Sequence, residues 1–570
     1  VVGAPYGDGS SNSQSASGDV YLYTISSSSS DSISSAVFGT NASSDSTITP
    51  ATIATSLSAG TNVVLQANND ITVSNAITAA NGSGDGGNLT LQAGRSVLVN
   101  ANITTDNGDL TLTANETLSN GVVSDYRDSG AAVITLGAAI NTGTGAFRVT
   151  ISAGTGKTYL ASGDITLSSV IAGSLVVANN GPTSNSNIED NGVLDIAGTS
   201  SFTTSENGST ITLNQTNEFT GAVTLNTTGS SGHATVNNGT TPLDIAASSV
   251  GGDLTITSGA VTQSGTLVIP GTTTISASSH AVTLNDSSNN FGTVAITGAN
   301  VAITDTNAIV LGASTVTGTY HVTATAGDIT NTGALIITGA STFIVGTTTS
   351  NIVLDHASNA FSNSVTMKAG TSGNQAFGNI GFVDNAAVVI QTSAETNANG
   401  ELLIDGSTDG VVGGTLSIKA NGDITQNIDL AVAGTTTLEA GSNAITLNRP
   451  DNNFSTVIIT SGGDVALRDA GAIILGAATV TGTYAVTAGG AVTNSGTQEI
   501  TGITTISASG YNVTLDETTN NFAAAVKITG AVVTVVDENA INLGASTVTG
   551  TYHVTATAGD ITNTGALIIT

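Results

Sequence analysis

A stretch of twenty-eight residues occurs twice in this sequence without a difference, at 311–338 and at 543–570. Two shorter markers recur as well. The first is a strand-like segment, an Asn-containing turn and a Phe, spaced by 72, 70, 93 and 68 residues at Phe219, Phe291, Phe361, Phe454 and Phe522. The second marker begins as GTTTISA at 271–277, with counterparts at 339–345, 434–440 and 502–508. Self-similarity at a fixed period is typical of repeat architectures.

Apolar residues alternate with Thr or Ser through much of the chain, which is the period-two pattern of strands. The chain is 39% hydrophobic and only 9% charged. Disordered chains combine low hydrophobicity with high net charge, so this composition favours a folded protein. The sequence therefore predicts an all-β fold.

One repeat is longer than the others by roughly the 20–25 residues that a coil of a β-solenoid uses. A solenoid tolerates an extra coil, because each coil contacts only its neighbours. We therefore predict a parallel β-helix in which a regular repeat is three coils and the enlarged one is four. Tandem β-sandwich repeats are the alternative fold. An inserted loop is the alternative for the excess, but VVIQTSA (388–394) and ELLID (401–405) within it look like strands.

Three lines of similar text precede these repeats, namely SLSAGTNVVLQANNDITV (56–73), GGNLTLQAGRSVLVNANITT (86–105) and NGDLTLTAN (107–115). They resemble filamentous-haemagglutinin-like bacterial adhesins. That resemblance implies a right-handed parallel β-helix and an adhesive role at the cell surface or in the medium. The residues VVGAP at 1–5 and GDVYLY at 18–23 resemble the end of an FG-GAP repeat.

The predicted organisation has four parts. They are an FG-GAP-like fragment at 1–23, a Ser-rich linker at 24–50, haemagglutinin-like β-helix coils at 51–200, and a β-helix of repeats of about 70 residues, one enlarged to about 93, at 201–570. The start lacks a signal peptide, and 560–570 lacks a polar cap. We therefore expect the sequence to be part of a longer protein.

The charge balance limits the partners, because 9 Lys and Arg stand against 40 Asp and Glu, for a net charge of −31. The nine bases are scattered singly along the sequence, so a stripe that neutralises nucleic-acid phosphates is not predicted. No apolar run is long enough to insert into a membrane as a helix. The absence of cysteine excludes disulfides, thiolate metal sites and cysteine nucleophiles.

No catalytic, cofactor-binding or metal-binding residue is predicted. His321 and His553 share one repeat position that Ala485 occupies in a third copy, so the repeat does not require the imidazole. His233, His280 and His356 are isolated. Thr clusters recur about every 68 residues rather than at every coil, so no continuous Thr array is predicted. The marker Phe residues and Tyr320, Tyr484 and Tyr552 are predicted to fill the core.

The acidic residues lie at turns. One group occupies GDIT segments, where a side chain bonded to nearby backbone would stabilise the turn, and comprises Asp164, Asp328, Asp423 and Asp560. A second group lies just before the marker Phe and comprises Asp286, Asp355, Asp451, Asp516 and Glu517. No cofactor is predicted, and calcium bound by these oxygen-rich turns is the alternative. The Asn-rich turns are expected to form turn contacts or short internal amide ladders.

These observations predict a non-catalytic elongated stalk of a large bacterial cell-surface or secreted adhesin, with an extracellular or surface location. Its partner would be a host or neighbouring-cell surface, matrix or glycan, without nucleic acid and without membrane insertion. Two alternatives remain. One is a β-helical polysaccharide-active enzyme, which needs convergent acids in a groove. The other is a tandem β-sandwich structural protein of a biofilm matrix.

Overall fold

The computed structural model describes residues 23–25, 33, 36–39, 45–183, 186–347, 349–370, 376–391, 400–406 and 408–570. These residues divide between two compact units, Val1–Thr293 and Val294–Thr570. The described strand pairs are parallel, and each joins a strand to its counterpart one coil later. This arrangement confirms the predicted all-β parallel solenoid, with about 22 turns, and excludes antiparallel sandwiches as its building block.

Alternating side chains explain why the strands stack. In Leu89–Ala93 the Leu and Ala side chains are buried, and the Thr and Gln between them are half-buried on the outside. Successive side chains of a strand point to opposite faces, so each strand gives the core one row of Val, Ile, Leu or Ala. Each fully buried Val, Leu or Ile contributes about 1.5–3 kcal/mol of transfer free energy. A coil obtains this burial only between two other coils.

In the first unit three rows of parallel strands form the sides of the coil. The first row is Val63–Ala67, Leu89–Ala93, Leu110–Ala114, Ala146–Ile151, Ser174–Asn179, Ser200–Asn207 and Val223–Thr228. The second row is Ile71–Val73, Val97–Val99, Ala132–Leu136, Ser162–Leu167, Ile188–Asp190, Ile211–Leu213, Ala234–Asn237, Leu254–Thr257 and Leu267–Ser276. The third row is Ile77–Thr78, Ile103–Thr104, Ile140–Asn141, Val170–Ala172, Leu194–Ile196 and Glu218–Phe219.

Shorter elements complete this unit. The remaining strands are Tyr23–Ile25, Ser46–Ile48, Leu243–Ile245, Ser248–Ser249, Val261–Gln263 and Val282–Leu284. Two 3-10 turns, Leu118–Asn120 and Ser124–Tyr126, follow one strand of the first row.

An α-helix, Pro50–Ser58, precedes the first coil and was not predicted. The Thr49 hydroxyl accepts a hydrogen bond from the backbone N–H of Thr52, and Pro50 occupies the first helical turn, where it is tolerated. Ile53 and Leu57 are buried, and the helix packs on strands of the first coil. It therefore covers the open end of that core.

The second unit has the same construction. The strand Asn290–Gly298 contains the boundary between the units. The strands up to the end of the enlarged repeat are Val301–Asp305, Ile309–Leu311, Ser314–Val316, Tyr320–Ala324, Ile329–Asn331, Leu335–Ile337, Ser341–Val345, Ile352–Leu354, Ala360–Phe361, Val365–Ala369, Ile380–Asp384, Val388–Gln391, Glu401–Asp405, Val411–Val412, Leu416–Ala420, Ile424–Gln426 and Ala431–Glu439. The later strands are Ile445–Leu447, Asn453–Gly462, Val465–Asp469, Ile473–Val480, Tyr484–Ala488, Val492–Asn494, Gln498–Ile500, Thr504–Ser507, Val513–Leu515, Asn521–Phe522, Ala525–Gly530, Val533–Asp537, Ile541–Leu543, Ser546–Val548, Tyr552–Ala556, Ile561–Asn563 and Leu567–Ile569.

The regular repeat is not a whole number of coils. Ile445 is followed in its row by Val465, Tyr484 and Thr504. Its counterpart in the next repeat, Val513, lies in the neighbouring row, which contains Val492. One repeat therefore makes three coils plus one side, with coils of about 20 residues. Equivalent residues of successive repeats consequently lie on different sides of the solenoid.

The enlarged repeat contains no fourth coil, and that prediction is wrong. Ile352 is followed in its row by Ile380, Leu416 and Thr436, as in a regular repeat. Val388–Gln391 and Glu401–Asp405 are strands as predicted, but they belong to ordinary rows. The excess residues lie between strands and lengthen two coils. The inserted segment that the sequence disfavoured is therefore present.

The predicted parts at 1–23 and 24–50 fall mainly outside the described residues. Within them the backbone of Tyr23–Ile25 forms a strand that pairs in parallel with Ser46–Ile48 and Ile71–Val73. The FG-GAP-like fragment, the Ser-rich linker and the boundary at 200 stay predictions.

Candidate functional site

Buried amides form the predicted ladders. The Asn452 side chain is fully buried one residue before the marker strand. Its Nδ2 donates to Gln426 Oε1 (2.9 Å) and to the Leu447 carbonyl (3.2 Å), and its Oδ1 accepts from Gln426 Nε2 (2.7 Å) and from the Leu430 N–H (2.9 Å). Similar pairs in other repeats are Gln263 with Asn289, Asn331 with Asn359, and Asn494 with Asn520. Each pair links adjacent coils, so the predicted internal amide ladders are confirmed.

Each marker Phe has a buried partner that the sequence did not reveal. The Asp469 carboxylate accepts from the N–H of Phe454 (2.6 Å) and from the N–H of Gly471 (2.7 Å). The same arrangement joins Asp537 to Phe522 and Asp384 to Phe361, and an amide serves where Asn238 meets Phe219. Burial raises the pKa of Asp384, Asp469 and Asp537 above the usual carboxyl range. These carboxylates are structural links rather than exposed acids.

The marker side chains themselves are core residues, as predicted. Tyr320 packs edge-on against Phe343 at 5.8 Å between ring centroids, and Phe343 packs edge-on against Phe361 at 6.3 Å. Phe361 stacks on Phe382 at 5.3 Å. Burial raises the pKa of Tyr320 and Tyr484 well above that of a free phenol. None of these four rings is available to stack on a sugar.

The aspartates of the GDIT segments act between coils. Asp328 Oδ1 accepts from the Asn351 N–H (2.8 Å), and Asp423 Oδ1 accepts from the Ala444 N–H (2.8 Å). Asp164 makes the same contact with Asn187 at 3.0 Å. The predicted role in turn stabilisation is correct in kind, but the partner backbone lies on the next coil rather than nearby in sequence.

The acids before the marker Phe are exposed or half-buried. Asp286 Oδ1 accepts from the Ser288 N–H at 2.8 Å, a local turn contact. In the part of the chain that the structure describes, no group of three or more His, Asp or Glu side chains is placed to hold a metal ion. Calcium at these turns stays a prediction.

The histidines lie apart from one another. Nδ1 of His233 accepts from the Asp253 N–H (2.8 Å), and Nδ1 of His280 lies 3.1 Å from the Ala277 carbonyl. His321 is half-buried with Nε2 at 3.4 Å from the Thr323 hydroxyl, and burial lowers its pKa. His553 has the same neighbour in its own repeat, and His356 accepts from Ser358.

Three of the nine bases meet in the first unit, although they are scattered in the sequence. Arg95 pairs with both carboxylate oxygens of Asp70 and lies 3.9 Å from Asp128. The buried Arg127 donates to the carbonyls of Gly94, Asp128 and Gly130. Lys157 Nζ donates to the Gly94 carbonyl and to Asn115 Oδ1, each at 2.8 Å. We call Arg95, Arg127 and Lys157 the basic cluster.

Threonine side chains form a column on the outside of the first unit. Thr212, Thr235, Thr255 and Thr274 occupy the same register on four successive coils. The preceding position in this column is Glu189. The expectation that no continuous array exists is therefore wrong for these coils, because the Thr residues come from different segments rather than from the TTT clusters alone.

Two grooves lie on the described surface. The first has a volume of about 430 Å³ and is lined by Ile171, Val193, Asp195 and neighbours on the third row of strands. The second has a volume of about 420 Å³ in the enlarged repeat and is lined by Asp409, Asp429, Asp451 and Arg449 among others. Arg449 Nε is bound to Asp429 at 3.0 Å. Burial, together with Asp405, raises the pKa of Asp409.

These features define a parallel β-solenoid repeat protein. The chain belongs to a family described as repeats of unknown function (DUF5649), whose model matches residues 153–226, 231–297, 298–368, 385–461, 462–529 and 529–570. No curated protein and no solved structure matches the chain. Among the described residues, no helix has the length and apolar character needed to cross a membrane.

Proposed function

We propose that the chain is a non-catalytic stalk segment of a large bacterial cell-surface or secreted adhesin, which presents or mediates adhesion. The in-register parallel stacking of coils carries the proposal. In such an array each coil is stabilised by its neighbours, so coils add length without a new core design. A stalk requires this property, because it must hold a binding element away from its anchor.

The outward side chains support a role in surface contact rather than in nucleic-acid binding. The Thr column presents small hydroxyl groups in a regular array. Several bases are already engaged, because Lys368 pairs with Asp405 at 2.9 Å and Lys419 pairs with Glu439 at 2.6 Å. A chain of net charge −31 with such bases offers little to phosphate. The partner we propose is a glycan, matrix or cell surface at an extracellular location.

The test places the full chain between a membrane anchor and a reporter module of known ligand on bacteria that carry a thick capsule. We expect the reporter to reach immobilised ligand through the capsule, whereas the same reporter joined directly to the anchor does not. Beads coated with the chain alone then measure whether it contacts glycans or matrix itself. Equal adhesion with and without the chain would contradict the stalk.

The second groove favours one alternative, a polysaccharide-active enzyme, because such enzymes need paired carboxylates in a cleft. Asp409, Asp429 and Asp451 line this groove. Incubation with acidic and neutral polysaccharides, followed by measurement of new reducing ends, tests it. We expect no cleavage. Cleavage that Asp409→Asn and Asp429→Asn both abolish would replace the stalk proposal with the enzyme.

A further inference from the structure

The basic cluster contains an amine that has no ordinary structural explanation. Lys157 is 6% exposed, and its Nζ lies between the Gly94 carbonyl and the Asn115 side chain. No carboxylate forms an ion pair with it among the described residues, and burying an unpaired ammonium is costly. The loop after the strand Ala146–Ile151 carries this residue into the solenoid.

The geometry points to a covalent bond between these two side chains: we propose that Lys157 Nζ and Asn115 Cγ form an intramolecular amide with release of ammonia. The proposal is independent of the stalk function. It concerns a modification that the chain would make on itself.

Distance supports the reaction. Lys157 Nζ is 2.8 Å from Asn115 Oδ1. Because a C=O bond is about 1.23 Å long, Nζ lies within about 4 Å of Cγ. Holding two reacting groups in such proximity replaces a bimolecular encounter and lowers the barrier by an entropic contribution.

The amide is held in place by its other atoms. Asn115 is fully buried, and its Nδ2 donates to the carbonyls of Ser152 (2.8 Å) and Leu160 (3.3 Å). Gly154 permits this approach, because a Cβ on Gly154 would lie 2.7 Å from Nδ2 and its φ of +66° favours glycine. The loop is therefore shaped around the Asn115 side chain.

Protonation also favours attack, because only the neutral amine is a nucleophile. Burial and then the positive charge of Arg127 lower the pKa of Lys157 to about 7, although the negative charge of Glu116 acts in the opposite direction. A free lysine has a pKa of about 10.4, so the buried amine is neutral in a far larger fraction of molecules near neutral pH.

The step balances without an oxidant or a co-reactant. The Nζ lone pair forms a bond to Cγ, the Cγ–Nδ2 bond breaks, and its electron pair leaves with Nδ2. One proton moves from Nζ to Nδ2, so ammonia departs and a secondary amide remains. The product joins the loop that carries Lys157 to the coil that carries Asn115.

Mass spectrometry of the full chain tests the bond. We expect a mass below that of the sequence by one ammonia. Trypsin should fail to cleave after Lys157, so the peptide 149–368 should be found joined to the peptide 96–127. Lys157→Arg and Asn115→Ala should each restore the full mass, whereas the surface control Lys419→Arg should keep the loss.

Two results would overturn the proposal. One is a wild-type chain of full mass that trypsin cleaves after Lys157. The other is loss of ammonia without joined peptides that persists in Lys157→Arg, because an asparagine that cyclises onto its own backbone loses the same mass. The peptide analysis of the wild-type chain decides the matter even where a variant does not fold.

Discussion

Replacing Asn452 with Ala should destabilise the solenoid strongly, because four hydrogen bonds converge on this buried amide. The change leaves the Leu430 N–H, the Leu447 carbonyl and the Gln426 amide without this partner. Each unsatisfied buried polar group costs about 1–3 kcal/mol. Because relaxation recovers part of the loss, we expect a total of about 3–5 kcal/mol.

Asn453 gives a matched control, since it is the next residue and its side chain is exposed. Asn453→Ala should change stability by no more than about 0.5 kcal/mol, as is usual for surface positions. Urea unfolding gives the stability difference. Hydrogen exchange of the segment 424–447 should accelerate in Asn452→Ala and remain unchanged in the control. Equal effects of the two substitutions would refute the ladder as a stabilising link between coils.

Three further predictions concern other buried groups and metal. Thr504 Oγ is buried without a hydrogen-bond partner, so Thr504→Val should raise the unfolding free energy by about 1 kcal/mol in urea titration; exposed Thr505→Val should not, and a loss in Thr504→Val would contradict this. The raised folded pKa of Asp537 means that its protonation contributes stability below its unfolded pKa of about 3.9, which is lost as pH rises through the folded pKa. The stability of the wild-type chain relative to Asp537→Asn should therefore fall with rising pH across that window, and a rise would reverse the assigned sign. Chelation of calcium should leave the thermal unfolding temperature unchanged in calorimetry, whereas a drop that added calcium reverses would establish a calcium site.

The sequence predicted the fold because burial imposes a pattern on every strand. Alternation in segments such as Leu89–Ala93 indicates one buried face, and repeats without a closed end indicate stacking. The amide ladder at Asn452 was also predictable, because Asn recurs at a fixed place before the marker Phe. These features are local, and local patterns are visible in one dimension.

Features that depend on which coil lies above another were not predictable. Asp469 binds the N–H of Phe454 fifteen residues away because the two meet across coils. A repeat of about 70 residues fits three coils of 23 as well as three coils and one side of about 20, so spacing alone could not assign the rows. The basic cluster likewise unites Arg95, Arg127 and Lys157 only through the fold.

The most direct test of the account is a disulfide between coils. Thr235 and Thr255 are register partners on adjacent parallel strands, which lie about 4.8 Å apart, within the range of about 4.4–6.8 Å that a disulfide spans. Because the chain has no cysteine, Thr235→Cys with Thr255→Cys should form an intramolecular bond under mild oxidation. Thr235→Cys with Thr274→Cys, two coils apart, should not. Free thiols in the first pair, or bonding in the second alone, would contradict parallel in-register stacking.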